Sequence, residues 1–298
     1  MPTVHVATDR GVHAFDADGA PDVSLHDRAI TGLARANDDI WAIVEGRELW
    51  HRNADGWRRV ADLAGFRATC LASIDGEVLV GTSEAHLFRL EGGDLRRDDA
   101  FDLVEGRDAW YTPWGGPPDT RSLANWDDDV YVNVHVGGIP LSRDGGTSWT
   151  PTIDIDADVH QVTTANGLVL AACARGLAAS RDRGATWTMR TDGLVATYCR
   201  AVAVCGDRVL VSSSNGPGGG RAAVYRGTLG SGPFERLEAG TGWFEGNIDS
   251  ACLDALTDGS LAALGTVDGR LYVSLDAGST WAERASGLPR VRRVLAMP

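Results

Sequence analysis

The chain contains no lysine. All 28 of its basic residues are arginine, set against 41 acidic residues, so the formal net charge is −13 and the isoelectric point about 4.9. Aspartate far outnumbers glutamate, and the two features together are the pattern of a GC-rich, salt-adapted genome. An acidic balance of this size argues against nucleic acid and against an anionic membrane surface as partners. It reads as a solubility property. Long apolar runs are missing too: nothing approaches the ~18 residues of a membrane span, and the first residues do not form a charged-then-apolar leader. A cytoplasmic protein without membrane contact is expected. Cysteine is scarce and odd in number. Cys70, Cys173, Cys199, Cys205 and Cys252 lie within apolar, strand-like runs, as buried thiols of a reducing compartment would. Neither HExxH nor CxxC occurs, so no metal motif is written into the local sequence.

What the chain does contain is one short phrase in three copies: Ser142-Arg-Asp-Gly-Gly-Thr-Ser-Trp149, Ser180-Arg-Asp-Arg-Gly-Ala-Thr-Trp187 and Ser274-Leu-Asp-Ala-Gly-Ser-Thr-Trp281. Each residue type has a turn-forming role. Asp144, Asp182 and Asp276 can accept hydrogen bonds from the backbone that follows them. Gly146, Gly184 and Gly278 supply a positive φ, and the Ser or Thr closes the turn from its other side. Trp149, Trp187 and Trp281 lead into the next strand and cover the turn. These residues are expected to be structural.

The spacing of the copies gives a repeat. From Asp144 to Asp182 is 182 − 144 = 38 residues, and from Asp182 to Asp276 is 276 − 182 = 94, two periods with a degenerate copy between them near residues 225–233. A period of roughly 40–50 residues with four short strands is that of a propeller blade. Other segments follow the same grammar without the phrase, among them Ile74-Asp-Gly-Glu-Val-Leu-Val-Gly81 and Thr257-Asp-Gly-Ser-Leu-Ala-Ala-Leu-Gly265. Seven units result: one shared between the termini, and units near 28–62, 67–105, 119–155, 158–194, 197–246 and 247–288. The expected fold is an all-β, seven-bladed propeller of four-stranded antiparallel blades, a single domain over 1–298, closed by pairing the N-terminal and C-terminal strands so that no sheet edge is left open at the seam.

The phrase resembles the Asp-box, or BNR repeat, of sialidases, sortilin-type receptors, some glycoside hydrolases and the photosystem II assembly propellers. That resemblance implies a WD40/YVTN/BNR-like propeller with its boxes on outer turns, away from any active site. Sialidases use three arginines, a tyrosine nucleophile paired with glutamate and an aspartate acid/base, announced by Arg-Ile-Pro. The nearest match here is Phe66-Arg67-Ala68, and no Tyr–Glu pair can be assigned from spacing, so true sialidase activity is not expected.

Functional groups are expected on the face opposite the boxes, where loops enter the innermost strands and where second strands end. Residues 110–121 combine three aromatics and three prolines. They read as a rigid binding loop or as a cover between blades, with Trp114, Asp119 and Arg121 as ligand-binding candidates. His135 ends one strand and His160 starts the next blade. Strand alternation puts Asp158 on the side of His160. Two imidazoles with a carboxylate can bind a divalent metal or move protons, with His135, His160, Asp158 and Asp249 as catalytic candidates; equally, they can be hydrogen-bonded rim residues. Tyr198, Arg200, Asn247 and Asp249 are placed at the starts of the following innermost strands. Arg121 and Arg200 either receive an anion bidentately or pair with Asp119 and Asp249. Cys199 could serve as a nucleophile or be an inert buried thiol. The glycine-rich residues 212–220 read as a flexible rim. The leading function is binding of a small anionic molecule at the channel mouth, with hydrolase- or lyase-type activity. The alternatives are a non-catalytic platform for a protein partner and a sialidase-like glycoside hydrolase, which needs two carboxylates about 5–10 Å apart.

Overall fold

Short apolar strands separated by Gly- and Asp-containing turns can bury themselves only by stacking sheets face to face. The strands that lie inside such a stack lose the alternation of a half-exposed strand. In the computed structural model, which describes residues 2–16, 20–238 and 242–298, the second strands Asp129–Val134 and Leu168–Cys173 are buried along their whole length. The first strand Ile30–Ala36 keeps a partial alternation.

The chain is an all-β, seven-bladed propeller of four-stranded antiparallel sheets. Six sheets run through the sequence in order. Their first strands are Ile30–Ala36, Ala68–Ile74, Thr120–Trp126, Val159–Ala165, Tyr198–Cys205 and Leu253–Ala255. The seventh is built from both ends of the chain. Val291–Met297 pairs antiparallel with Thr3–Thr8, which in turn pairs with Gly11–Phe15 and its neighbour Asp22–Ser24, and this closes the ring. The seven units expected from the repeat match these sheets.

By their internal packing the residues group into two compact units. One comprises Met1–Ile30, Leu170–Ala179 and Thr188–Pro298, and the other Thr31–Val169 and Ser180–Trp187. The first has a core that includes Val4, Val6, Leu210, Leu264 and Trp281. The second has one cluster around Leu79, Phe101, Val132 and Trp149 and another around Ile43, Leu71 and Phe88. All five cysteines are buried thiols. Among the described residues no helix is long and apolar enough to cross a membrane.

Each repeated phrase connects the third strand of its blade to the fourth, and all three make the same bonds. The first Ser of each donates its hydroxyl to the Asp Oδ1, at 2.9, 2.8 and 2.8 Å, and accepts the amide of the Gly, at 2.8, 2.8 and 3.0 Å. The Asp then accepts the amide and the hydroxyl of Ser148, Thr186 or Thr280. Trp149 and Trp281 are buried, and the Trp187 indole donates to the Thr152 carbonyl at 2.9 Å. The blade that begins at Tyr198–Cys205 keeps the hairpin between Ala223–Thr228 and Glu235–Arg236 but not the box. Phe234 stands where the others have Trp, immediately before the fourth strand, beneath the Arg190 guanidinium at 4.7 Å.

These bonds favour the ionised carboxylates. The Thr186 hydroxyl and amide hold Asp182 down to about 2, the Thr280 amide and hydroxyl do the same for Asp276, and Asp144 is lowered by Ser148. Carboxyls depressed in the folded state contribute stability that is complete above the unfolded value near 4 and is lost as the pH falls towards 2. The double variant Asp182→Asn/Asp276→Asn should therefore be less stable than the wild type at pH 5 but lose less between about pH 4 and 2. Urea midpoints measured across that range check this, and parallel slopes for the two proteins would refute it.

Candidate functional site

Three elements of the second unit bring His135, Asp158 and His160 together. His135 follows the strand Asp129–Val134, and its amide donates to the Asp119 carbonyl at 3.0 Å. Val136 at φ 43° and Gly138 at φ 73° then turn the chain sharply away. Asp158 ends the single 3-10 turn Ile155–Ala157, which the Asp154 side chain caps by accepting the Asp156 amide. Asp158 itself is left-handed at φ 48° and ψ 71°, a conformation that Asp and Asn tolerate better than other L-residues. His160 is the second residue of the strand Val159–Ala165.

The Asp158 Oδ1 lies 3.3 Å from His135 Nε2 and 3.6 Å from His160 Nε2. Both imidazoles are buried, His160 completely, whereas the Asp158 side chain keeps 23% of its surface accessible. Burial alone would push the Asp158 carboxyl up, but the two imidazoles facing it win and hold it well below the usual carboxylate range. Burial pushes the His135 imidazole down; Asp158 opposes this, and the nearby Arg121 charge adds to it. His135 is thus a neutral imidazole at neutral pH. Trp114 covers it with ring centroids 4.9 Å apart, while 70% of Trp114 itself stays exposed. The cluster can donate nitrogen and oxygen lone pairs to a cation or move a proton, the chemistry expected of these residue types.

The loop before this blade is held by side chains the sequence reading did not single out. His86 Nδ1 sits 2.6 Å from Asp102 Oδ1, and Arg107 donates to the Ala85 and Glu84 carbonyls while lying 4.8 Å over the Trp110 ring. Trp110 packs against Phe101, so the aromatics of this loop divide: Trp110 belongs to the core side and Trp114 to the surface. Asp119 is reached by the Arg67 guanidinium at 2.7 Å, a partner from the preceding blade that the sequence does not point to.

In the first unit, Tyr198 begins the strand Tyr198–Cys205 as expected. Arg200 is engaged by Asp249 at 3.2 Å, the pairing alternative, and Arg290 approaches the same carboxylate at 3.8 Å. Cys199 is fully buried and its thiol is pushed far up by burial, which leaves no thiolate to act as a nucleophile. Asn247 and Asp249 do not start a strand: the innermost strand of that blade begins at Leu253, after a turn in which the Cys252 amide bonds the Asp249 carbonyl. The Asn247 side chain donates to the Gly216 and Pro217 carbonyls at 3.2 and 3.0 Å, and so ties down the glycine-rich loop where the sequence predicts a flexible rim. The same unit contains a cleft of about 590 Å³ lined by Trp243, Phe244, Asn247, Asp268, Arg270 and Tyr272. The adjacent aromatic pair Trp243 and Phe244 was its only sequence signal.

No protein-family model matches the chain, and no curated protein matches it in sequence. Solved structures do match in fold. A proposed 6-phosphogluconolactonase from Bacteroides uniformis superposes with a TM-score of 0.68 at 12% identity, covering 99% of each chain. The WD40 repeats of RRP9 give 0.62 at 14% identity, over 90% of this chain and 83% of that one. YCF48 bound to D1 peptide gives 0.59 at 13% identity, over 87% and 84%. Identities this low establish the propeller and nothing of its chemistry.

Proposed function

We propose that this chain is an Asp-box propeller that binds a small anionic molecule beside His135, Asp158 and His160, with Arg121 as the charge that attracts it and Trp114 as the aromatic wall. The observation that carries this reading is the convergence of two buried imidazoles on one partly accessible carboxylate, next to an arginine whose field His135 senses. A ligand entering past Trp114 would meet groups able to accept or return a proton, the equipment of hydrolytic or lyase chemistry. Arg200 and Asp249, already paired, are left out of the assignment. The similarity to a proposed phosphogluconolactonase agrees with a small polar ligand but adds only the fold.

Calorimetric titration with small carboxylates and phosphates tests the proposal. At least one is expected to bind to the wild type, and Arg121→Ala should weaken it by about tenfold to a hundredfold, the loss of one charge-assisted interaction of roughly 1.5–3 kcal/mol. Absence of any binding at millimolar concentrations, or equal binding by the variant, would remove this reading.

A second reading, a platform for a protein partner, is supported by the exposure of Leu103, Tyr111 and Trp114 within one short stretch, with Leu103 84% accessible. Apolar side chains grouped at a surface mark interaction sites. The solved YCF48 structure holds a peptide on the same fold.

A further inference from the structure

We propose that His135, Asp158 and His160 bind one zinc-class divalent cation, with a further coordination position open to an anionic oxygen. The inference deepens the ligand reading and rests on the same site.

The geometry comes first. The ligand atoms of the three residues all lie within 4.8 Å of one another, with Asp158 Oδ1 at 3.3 and 3.6 Å from the two Nε2 atoms. The longer of these exceeds hydrogen-bond range and the shorter is at its far end. Both are spacings that a metal ion would set: with metal–nitrogen and metal–oxygen bonds of about 2.0–2.1 Å, tetrahedral angles separate neighbouring ligand atoms by roughly 3.3 Å. The widest pair, the two imidazole nitrogens within 4.8 Å of each other, has to close by roughly 1.5 Å for all three side chains to become ligands of one ion.

The donor set selects the ion. Two imidazole nitrogens and one carboxylate suit zinc and the neighbouring first-row ions, whereas magnesium and calcium take oxygen shells. Two neutral imidazoles and one carboxylate carry a net charge of −1, so a bound dication leaves the centre at +1. A further ligand that is itself an anionic oxygen is then favoured, and Arg121 adds to that preference. Asp158 keeps part of its side chain accessible while both imidazoles are buried, so a further ligand would approach from the carboxylate.

The backbone points the same way. His135 is delivered by a strand end followed by two tight-turn residues, and Asp158 by a left-handed residue two positions before His160. An extended Asp158 would place its carboxylate elsewhere. A left-handed L-residue is a strained one, and here that conformation brings a third donor to the point where the two imidazoles meet.

The test is a metal titration of the full chain, stripped with a chelator and held in a non-coordinating buffer free of small carboxylates and phosphates. One equivalent of Co²⁺ should bind and give the visible absorption of a low-coordinate cobalt centre. Zn²⁺ should compete for it and raise the unfolding temperature as its free concentration rises. Asp158→Asn keeps a side chain that accepts the left-handed backbone but removes the anionic donor, and it should lower Co²⁺ affinity at least about 100-fold. His160→Gln and His135→Gln should each lose the cobalt spectrum, while His26→Ala, at an exposed position outside the cluster, should keep it. The proposal is overturned if folded wild-type protein binds no Co²⁺ up to 1 mM, or if Asp158→Asn and His160→Gln bind it as the wild type does. Because no small anion is present, a failure here leaves the carboxylate titration standing. Conversely, metal binding without any carboxylate binding overturns only the ligand reading.

Discussion

A chain ending at residue 289 is expected to lose its cooperative fold. The last strand, Val291–Met297, pairs with Thr3–Thr8 along its whole length and supplies the buried side chains Val291, Val294, Leu295 and Met297. It is also bonded to the neighbouring blade, whose first strand is Leu253–Ala255: the Val294 amide donates to the Ala251 carbonyl at 2.9 Å and the Ala296 amide to Asp254 Oδ2 at 2.8 Å. Burying four such side chains contributes roughly 6–12 kcal/mol at about 1.5–3 kcal/mol each, an upper estimate because the unfolded chain already hides part of this surface. Set against the 5–15 kcal/mol of net stability typical of a domain, that loss is about the whole of it. Removal also leaves Thr3–Thr8 as an open edge. The truncated protein should therefore be recovered mostly aggregated, and what remains soluble should melt without a sharp transition in circular dichroism. A synthetic peptide of residues 289–298 should restore the transition in a concentration-dependent manner. A truncated chain that melts cooperatively within a few degrees of the wild type would show that closure through the termini is not what holds the ring.

The closure was legible before any coordinates because a lone apolar strand at one end and an unpartnered hairpin at the other are complementary fragments of a repeat. The boxes were legible for a different reason: the bonds that their Ser and Asp make within the turn span four residues or fewer, so the sequence holds both partners side by side. Strand alternation places Asp158 beside His160 in the sequence, but in the fold Asp158 precedes the strand Val159–Ala165 and its left-handed backbone is what brings the carboxylate there. What was hidden depended on partners far apart in the chain. Asp119 is taken by Arg67, 52 positions away, and nothing in the composition of residues 110–121 shows it. Asn247 looked like the opening of a strand because it precedes an apolar run, but its amide reaches back about 30 residues to fasten the glycine-rich loop. The cleft beside Trp243 was hidden in the same way, since Tyr272 and Arg270 come from the following hairpin. Neutrality of His135 also could not be read from sequence, because it depends on burial and on the field of Arg121.

Replacing Gly269 by alanine is expected to cost nearly as much as any single change in the chain. Gly269 sits at φ +81° in the turn between Ala262–Gly265 and Leu271–Ser274, and a Cβ there would lie 2.0 Å from the Leu288 carbonyl oxygen and 2.9 Å from its carbon. The obstacle is backbone, so no rotamer change relieves it. It is fastened as well: the Leu288 amide donates to the Gly269 carbonyl at 3.0 Å, and the Gly269 amide to Thr266 at 3.1 Å. Leu288 belongs to the short connection that carries the chain from Ala282–Ala285 into the closing strand at Val291. Moving it by the ångström or more that the methyl requires would displace the start of that strand, where Val291 and Val294 pack so closely on Gly265 that a Cβ there would meet them at 2.4 and 2.9 Å. A left-handed alanine costs about 1–2 kcal/mol by itself, and the displaced connection should bring the total to about 3–5 kcal/mol, the range of severe single substitutions. Gly287→Ala separates the two contributions. Its φ is +72°, yet nothing lies within 4 Å of the added methyl, so it should lose only the conformational part, about 1–2 kcal/mol. Urea unfolding of the two variants beside the wild type measures the difference. Equal losses would mean that the connection yields freely, and that the last strand is positioned by its pairing with Thr3–Thr8 rather than by the turn that leads into it.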